Sequence, residues 1–320
     1  MARDGRQAPK VALLMGGRSA EREVSLNTGA QVATALRARG YAVTAIDTRD
    51  IAFIDAIREL CPDVAFICLH GRFGEDGTMQ GLLELLDIPY VGSGVLASAL
   101  AMDKVMSKRV FAQTGLLSPD YVHLHAGDSW TAEEITTALG PKTVTKPACE
   151  GSSVGMTIVH TPDELAAGIA LAFACDDDVI VERFEPGIEV TVAVLGNDEP
   201  FALPTLEIVP EHEFYDYESK YVPGMSRHII PARVSEDVRA ECQRLAVAAH
   251  IALGCEGMSR SDTIVTPEGV VYLLELNTIP GMTATSLLPD AARAAGIEFP
   301  ELCSKLVGYA LEAWAGRKRG

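Results

Sequence analysis

The sequence predicts a mixed α/β and α+β protein with several domains. The first 92 residues alternate between apolar runs and amphipathic segments, which is typical of a parallel α/β unit. Residues 120–184 follow the order βαββαβ, and the remainder combines a long strand, a long helix and a hairpin. A chain of 320 residues can hold two or three domains. We therefore expect domains at 1–92, 93–184 and 185–320.

In the first of these domains, each apolar run is short enough for a strand and is followed by a helical pattern. The predicted elements are strand Lys10–Met15, helix Ala20–Arg39, strand Tyr41–Asp47, helix Ile51–Leu60, strand Asp63–Leu69, helix Met79–Leu86 and strand Ile88–Val91. Gly40 ends the first helix. Gly16-Gly17 and His70-Gly71 follow strands directly. In open α/β sheets, ligands bind at this edge.

The segment Gly92-Ser93-Gly94-Val95-Leu96-Ala97 matches the dinucleotide fingerprint G-x-G-x-x-A. We reject a dinucleotide site because the acidic residue expected about 20 positions later, at the end of a second strand, is missing. The glycines instead mark a domain boundary. The sequence also has no Walker-type G-x-x-x-x-G-K-[ST] motif, so any nucleotide would bind through another fold.

The second and third domains are predicted to mix helices with antiparallel strands. The second contains helix Ala97–Thr114, strand Tyr121–Leu124, helix Ala132–Leu139, strands Thr143–Lys146 and Met156–His160, helix Pro162–Ala174 capped by Thr161, and strand Val179–Phe184. The third contains strand Glu189–Leu195, the polar and aromatic loop Glu211–Ser226, helix Ser235–Leu253, a hairpin and two closing helices. A loop of that length inside a compact domain is commonly functional.

Composition argues against several classes of function. The formal net charge of −17 argues against a general nucleic-acid or acidic-membrane binder, since those proteins need a basic face. The apolar run Val11–Met15 is too short for a signal peptide or a membrane anchor, and no run approaches the roughly 18 apolar residues of a span. Seven cysteines without a Cys-x-x-Cys pair are typical of the reducing cytosol, and we assign none of them a catalytic role.

The hairpin near the end of the chain concentrates charged and amide side chains. Thr266-Pro267-Glu268-Gly269 places Pro and Gly where a type I turn favours them. If Thr266 faces Gly269, antiparallel pairing places Asp262 opposite Leu273 and Arg260 opposite Glu275. The period of two then places Glu275 and Asn277 on the face that carries Arg260 and Asp262.

These four side chains suggest a metal site beside an anion site. Two carboxylates about 4 Å apart repel by roughly 4 kcal/mol at an effective dielectric of 20, so they need a compensating cation. Asp262, Glu275 and Asn277 offer hard oxygen ligands, which suit Mg²⁺. The alternative is a surface hairpin with an Arg260–Glu275 cross-strand pair, because a slip of one residue would send Asp262 to the other face.

Further residues have both a functional and an ordinary explanation. Glu150 to Gly155 can aim backbone N–H groups at phosphate oxygens, with Lys146 before it, or can be an ordinary glycine-rich turn. Lys104 is a second candidate phosphate cation or a solvated lysine. Glu21 at a helix start more often relieves the positive helix end than binds a ligand. His70 is similarly more often a loop residue.

In their order along nearly the whole chain, these motifs resemble the D-alanine–D-alanine ligases of the ATP-grasp superfamily. The matching segments are Gly16 to Ser25, Leu69-His70-Gly71, Gly74 to Gly77, Met102-Asp103-Lys104, Lys146-Pro147, Glu150 to Gly155, Tyr215 to Tyr221, Asn277-Thr278 and Pro280 to Thr283. The resemblance implies a three-domain ATP-grasp enzyme with the nucleotide between the central and C-terminal domains.

The same resemblance implies that the enzyme joins two D-alanines with ATP, through a D-alanyl phosphate, for peptidoglycan synthesis, and hence for cell wall biogenesis and cell shape. It implies two Mg²⁺ ions, with Mn²⁺ able to substitute, and a cytoplasmic homodimer. The nucleotide-binding residues that it implies are Lys104, Lys146, Glu150, Ser152, Ser153, Val154, Met156, Glu182, Phe184, Glu189, Lys220 and Ile264. The metal ligands are Asp262, Glu275 and Asn277.

The substrate residues also come from the resemblance. Glu21 would pair with the ammonium of the first D-alanine, in a hydrogen-bonded trio with Ser152 and Tyr221. Substrate-binding roles further fall on His70, Arg260, Gly281, Ser286 and Leu287. Arg260 and the Gly281 N–H would stabilise an oxyanion, whereas Ser286 and Leu287 would receive the carboxylate of the second D-alanine.

Two alternatives and several departures from the family pattern remain. Relatives that form the ester D-alanyl-D-lactate tend to lack the tyrosine at position 221, so Tyr221 favours the dipeptide. A non-catalytic nucleotide-binding regulator would not need Lys220 or Arg260. The departures are Cys149 where arginine is frequent, Ser261 in place of an aliphatic residue, Ile279 and Ala284. They bear on substrate affinity and remove no charged group that the reaction needs.

Overall fold

The computed structural model describes residues 8–19, 21–151, 153–210, 226–283 and 286–317. In these ranges the chain forms one parallel sheet and two antiparallel sheets with helices packed against them, which confirms the predicted mixture of α/β and α+β structure. Among the helices described, none is long and apolar enough to cross a membrane.

The first sheet is parallel, with strands in the order β2-β1-β3-β4. Its elements are β1 Lys10–Met15, α1 Arg22–Ala38, β2 Ala42–Asp47, α2 Phe53–Leu60, β3 Val64–Ile67, α3 Thr78–Leu85 and β4 Tyr90–Val91. The first and last residues of each of these elements lie within two positions of those predicted from the sequence. The Ser25 hydroxyl accepts a hydrogen bond from the Gly16 N–H at 2.8 Å and donates one to the Cys68 carbonyl at 2.6 Å. These bonds join the loops that follow β1 and β3.

The helix predicted over Ala97–Thr114 is two helices, α4 Val95–Met102 and α5 Lys104–Gln113. The break is at Asp103, whose ψ of 104° is extended and whose carboxylate accepts a hydrogen bond from the Met106 N–H at 2.9 Å. Aspartate favours this capping position because its side chain satisfies a free N–H at the start of a helix. The prediction of one continuous helix was therefore wrong, because the apolar periodicity hid the cap.

The second sheet is antiparallel, in the order β5-β8-β6-β7. Its elements are β5 Tyr121–His125, α6 Ala132–Leu139, β6 Thr143–Pro147, β7 Thr157–Val159, α7 Pro162–Phe173 and β8 Asp178–Arg183. This is the predicted βαββαβ order. Thr161 occupies the N-cap position of α7, but its side chain makes no capping hydrogen bond to the helix, contrary to expectation. Instead the Glu164 carboxylate accepts a bond from the His160 N–H at 3.0 Å.

The third sheet is antiparallel, in the order β12-β11-β9-β13-β14, with β10 beside β9. The elements of this region are β9 Ile188–Gly196, β10 Phe201–Ala202, β11 Leu206–Pro210, β12 Ser226–Ile229, α8 Glu236–Leu253, β13 Gly257–Val265, β14 Val271–Asn277, α9 Leu287–Ala294 and α10 Phe299–Arg317. Strands β10 to β12 were not predicted, because the sequence offers only short runs there. The loop expected over Glu211–Ser226 lies outside the described residues, except that Ser226 begins β12.

Two helical segments pack away from their sequence neighbours. Phe111 of α5 is buried with Cys242 of α8 and Leu276 of β14, so α5 covers the third sheet. Leu306 and Val307 of α10 are buried in the core of the first sheet. The chain therefore returns to its N-terminal sheet at its end, and the boundaries at residues 92 and 184 stay a prediction.

The packing of α1 on β1 predicts the response to two matched substitutions. A Cβ at Gly29 would lie 2.8 Å from the Cβ of Met15, whereas a Cβ at Gly308 of α10 would meet nothing within 4 Å. We expect Gly29→Ala to destabilise the fold by about 1–3 kcal/mol through overpacking. Gly308→Ala should stabilise it by roughly 0.5–1 kcal/mol, because alanine loses less entropy in a helix. Thermal unfolding of both variants tests this packing, and an equal response of the two would contradict it.

Candidate functional site

A cavity of about 490 Å³ lies where the three sheets meet. The first sheet contributes Glu21 and His70 from the loops after β1 and β3. Residues of the second and third sheets form the facing walls, and they include Lys146, Glu182, Asp262 and Glu275. Residues predicted from distant parts of the sequence therefore line one cavity.

The hairpin of β13 and β14 carries a bulge that the sequence did not predict. Arg260 lies opposite Asn277 and Asp262 opposite Glu275, but Thr263 lies opposite Leu273, so Leu274 is an extra residue in β14. The predicted pairs of Arg260 with Glu275 and Asp262 with Leu273 were therefore wrong.

The turn explains the first part of this error. The Gly269 N–H donates to the Thr266 carbonyl at 2.9 Å, and the Thr266 N–H donates to the Val270 carbonyl at 2.9 Å. Gly269 has a φ of +82°, which glycine adopts readily. The loop thus contains one residue more than expected, and Thr266 pairs with Val270 rather than with Gly269.

The predicted face nevertheless forms, because the bulge corrects the register. Directly opposed residues share a face, so Arg260 and Asp262 lie with Asn277 and Glu275. Asp262 is only 7% exposed, and both its oxygens accept from the Arg260 guanidinium, at 3.0 and 2.7 Å. The alternative of a surface hairpin with an Arg260–Glu275 pair was wrong, since the arginine binds Asp262 and the face lines the cavity.

This face has the donor chemistry of a magnesium site. The Asp262 carboxylate accepts three hydrogen bonds, two from Arg260 and one from the Thr191 hydroxyl at 2.6 Å, which leaves about one of its roughly four lone-pair sites. Glu275 and Asn277 add further oxygen donors from β14. Within the described ranges, no three His, Cys, Asp or Glu side chains group closely enough to hold a metal ion. On this face, Asn277 adds an amide oxygen beside the carboxylates of Asp262 and Glu275.

Two lysines face the cavity from the side of the second sheet. The Lys104 ammonium donates to the Glu150 carbonyl at 2.6 Å and lies 4.0 Å from the Glu275 carboxylate. Burial lowers the pKa of Lys104. Burial also acts to lower the pKa of Lys146, but the nearby Glu182 and Glu275 carboxylates outweigh it and raise that pKa. Ser153, with a φ of +60°, turns the following loop toward the same cavity.

A buried cluster behind Lys146 was missed by the sequence reasoning. The Glu182 carboxylate lies 2.8 Å from the Lys146 ammonium and 2.8 Å from the Lys108 ammonium, through different oxygens. Burial acts to raise the pKa of Glu182, but the two lysines outweigh it and lower that pKa. The signal that could have found Lys108 is its position four residues after Lys104, on the same face of a helix.

The far end of the cavity is more apolar. Of the predicted nucleotide residues, Val154, Met156, Phe184, Glu189 and Ile264 all line it. The Lys142 ammonium lies 3.7 Å from the centre of the Phe184 ring. A second ion pair on this wall was also missed: Arg233 binds the buried Glu207 carboxylate at 2.6 Å.

The end nearest the first sheet gathers acidic groups around His70. Glu21 and His70 are both buried. Burial lowers the pKa of His70, and the Arg260 charge lowers it further against the opposing effect of Glu21. Burial and the Glu21 charge raise the pKa of Glu75 to about 8, although the Glu75 carboxylate accepts a hydrogen bond from the Gly71 N–H at 2.6 Å. The lowered pKa therefore favours the neutral form of His70 near pH 7.

The residues predicted for a second substrate lie partly apart from the cavity. Gly281 lines the cavity, whereas Ser286 and Leu287 are not among the described residues that line it. The Ser286 hydroxyl accepts a hydrogen bond from the Thr283 N–H at 3.1 Å and lies 2.8 Å from the Thr283 hydroxyl. Leu287 is buried with Leu206 of β11. Ser152, Lys220, Tyr221 and Ala284 lie outside the described residues, so their predicted roles stay predictions.

The remaining departures from the family pattern have distinct surroundings. Cys149 is exposed, and its N–H donates to the Asp176 carboxylate at 2.8 Å. Ser261 is fully buried on the face of β13 opposite to Asp262. Ile279 is buried in the core of the first sheet. Cys149, where the family frequently has arginine, is not among the described residues that line the cavity.

Comparison with known proteins identifies the family. The family model for the D-ala D-ala ligase C-terminus matches residues 110–308, and that for the D-ala D-ala ligase N-terminus matches residues 54–93. A D-alanine–D-alanine ligase of Pelotomaculum thermopropionicum is 49% identical and covers 97% of this chain and 99% of its own length. That of Desulforudis audaxviator is 52% identical, with coverages of 95% and 99%.

Solved structures agree with these relatives. A D-alanine–D-alanine ligase from Bacillus anthracis complexed with ATP has a TM-score of 0.85 at 31% identity, over 98% of this chain and 100% of that one. The ligase from Coxiella burnetii has a TM-score of 0.86 at 29% identity, over 98% and 97%. These neighbours confirm the ATP-grasp fold. With half of its residues identical to curated relatives along nearly its full length, this chain belongs to the D-alanine–D-alanine ligase family.

Proposed function

We propose that this enzyme joins two D-alanines to D-alanyl-D-alanine, with ATP converted to ADP and phosphate. The observation that carries the proposal is the meeting of Glu21, two lysines and the Arg260–Asp262 hairpin face around one cavity. The membership of the chain in a ligase family supports the same reaction.

The polar middle of the cavity suits a triphosphate, and its apolar end suits adenosine. Lys104 and Lys146 bring two ammonium groups to the same wall as the 150–155 loop, where positive charge and backbone N–H groups favour phosphate. Phe184 and Ile264 offer apolar surface for a base, beside the Glu189 carboxylate for polar recognition. Both oxygens of Glu182 are engaged by Lys108 and Lys146. We therefore place the phosphates at the lysines and the adenosine beyond them.

The first step activates a carboxylate, which is a poor acyl donor at neutral pH. We place the ammonium of the first D-alanine at Glu21, so that its carboxylate points toward the phosphates. A carboxylate oxygen of D-alanine attacks the γ-phosphorus. The bond between the γ-phosphorus and the oxygen that bridges it to the β-phosphate breaks, and D-alanyl phosphate and ADP form. Lys104 and Lys146 stabilise the charge that spreads over the phosphate oxygens.

The second step forms the peptide bond. The amine of the second D-alanine attacks the acyl carbon, a tetrahedral oxyanion forms, and phosphate leaves as the amine loses a proton. Arg260 and the Gly281 N–H are the groups that we assign to the oxyanion, since both line the cavity. The Arg260 guanidinium is held in one orientation by the two hydrogen bonds that it donates to Asp262. We assign the carboxylate of the second D-alanine to the Ser286–Leu287 segment.

Asp262, Glu275 and Asn277 are the residues that would hold magnesium. When bound, Mg²⁺ neutralises phosphate charge. Two ions, with Mn²⁺ as a substitute, are part of this proposal. We further propose a cytoplasmic homodimer whose product serves peptidoglycan synthesis, and a functional division at residues 92 and 184.

The proposed reaction predicts that phosphate release from ATP requires D-alanine and Mg²⁺ together. L-alanine should not substitute, because the first substrate is held by stereospecific contacts around Glu21. A coupled phosphate assay, with chromatographic detection of D-alanyl-D-alanine, measures both products. Tight ATP binding without phosphate release in the presence of D-alanine would indicate a non-catalytic regulator instead.

The proposed metal site predicts unequal effects of two Glu→Gln changes in one hairpin. Glu275→Gln removes a ligand charge from the cavity, so turnover should fall at least about a hundredfold while the fold is kept, in line with the size of single electrostatic contributions to catalysis. Glu268→Gln alters an exposed residue of the turn and should leave turnover unchanged within about twofold. Steady-state kinetics and circular dichroism make the comparison. Unchanged kinetics for Glu275→Gln would contradict the metal assignment.

A further inference from the structure

Lys108 is a fully buried lysine for which the proposed reaction has no role. It lies on α5 one turn after Lys104, and its side chain is 0% exposed. Lys104 lines the cavity, whereas Lys108 lies behind the wall that Glu182 and Lys146 form. Lysine is almost never fully buried unless it is paired, so its position calls for a physical reason.

The pairing of Lys108 leaves an excess of positive charge. Glu182 is shared between the ammonium groups of Lys108 and Lys146, each at 2.8 Å. Two cations and one carboxylate sum to one positive charge in a buried cluster. Burial lowers the pKa of Lys108, and the charge of the adjacent Glu182 carboxylate opposes that effect.

A purely structural ion pair does not account for this arrangement. One lysine would be enough to neutralise Glu182, and a second buried cation adds a desolvation penalty. An anion bound next to the cluster would offset that penalty. Of the two lysines in the cluster, Lys146 is the one that lines the cavity, so the excess charge is directed there.

We propose that Lys108 is a positioning residue for the nucleotide: by neutralising Glu182 from behind the wall, it leaves the charge of Lys146 available to the polyphosphate. This inference rests on the proposed use of ATP. Without Lys108, Glu182 and Lys146 would form a neutral pair, and the carboxylate would compete with phosphate for the Lys146 ammonium. The effect of Lys108 should therefore depend on ligand charge and be small for adenosine itself.

The test compares the binding of a triphosphate with that of the uncharged nucleoside. Isothermal titration calorimetry with a non-hydrolysable ATP analogue and with adenosine, both with MgCl₂, gives the preference for phosphate as the ratio of the two dissociation constants. In Lys108→Met, we expect this preference to fall about tenfold, or about 1.4 kcal/mol. Lys305→Met, which removes the same charge from a partly exposed position on α10, should leave it unchanged within about twofold.

A double variant separates charge from damage to the fold. Lys108→Met with Glu182→Gln restores one positive charge, so the preference should return toward the wild-type value. If Lys108→Met does not fold, Glu182→Gln alone should show about a tenfold higher preference than the double variant. The inference would be overturned if Lys108→Met weakened the binding of both ligands equally or weakened neither. It would also be overturned if Glu182→Gln and the double variant showed the same preference for the triphosphate.

These measurements do not depend on ligation. If the wild-type enzyme prefers the triphosphate and Lys108→Met loses that preference, the inference stands even where no D-alanyl-D-alanine forms. If the wild-type enzyme ligates D-alanine while the preference of Lys108→Met is unchanged, the inference fails and the proposed reaction stands.

Discussion

The composition of the site depends on one extra residue, Leu274, in strand β14. Near the turn, the hairpin pairs Ile264 with Tyr272, and a regular continuation of that register would place Leu274 opposite Asp262. Glu275 and Asn277 would then lie on the other face, where the core begins. The bulge shifts the alternation by one residue, so Leu273 and Leu276 remain buried while Glu275 turns to the cavity. Both the core of the third sheet and the candidate metal site require this irregularity.

The buried carboxylates of Asp262 and Glu182 are each paired with cations of the protein. Asp262 is matched by Arg260, and Glu182 is matched by two lysines. A chain with a net charge of −17 would repel a polyphosphate at long range, so binding depends on local positive charge. A buried ammonium a few ångströms from a phosphate acts across a lower dielectric than bulk water and is screened little by salt. The excess positive charge of the Glu182 cluster is itself buried, so its attraction for a phosphate in the cavity is screened little by solvent.

The sequence predicted regular structure well and irregular structure poorly. The parallel sheet follows from its alternation of apolar runs and helices, and the ends of its elements agree within two residues. Its strands β1 and β3 are the clearest in the sequence, because burial on both faces leaves a continuous apolar run in each. The break at Asp103 and the bulge at Leu274 were missed, since each is a local departure that tertiary packing selects. The convergence of Asp262, Glu275 and Asn277 was nevertheless predicted. The longer turn shifts the strand pairing by one residue and the bulge shifts it by one more, so the three side chains still lie on the predicted face. Helical spacing from Lys104 could have singled out Lys108, but its pairing with Glu182 could not be predicted, because the two residues lie more than 70 positions apart in the sequence.

Glycine residues allow loops of the first and second sheets to approach the Glu21 carboxylate closely. A Cβ at Gly71 would lie 2.9 Å from a Glu21 carboxylate oxygen, and one at Gly151 would lie 3.6 Å from the same atom. Gly71 has a φ of +67°, so a larger residue there would be strained as well as crowded. Loops from the first and second sheets thus approach one carboxylate closely. Because Ser25 ties the loop after β1 to the end of β3, movement of either loop would displace Glu21 relative to the lysines. The relative position of the sheets, and not the loops alone, therefore sets the distance between the first substrate and the phosphates.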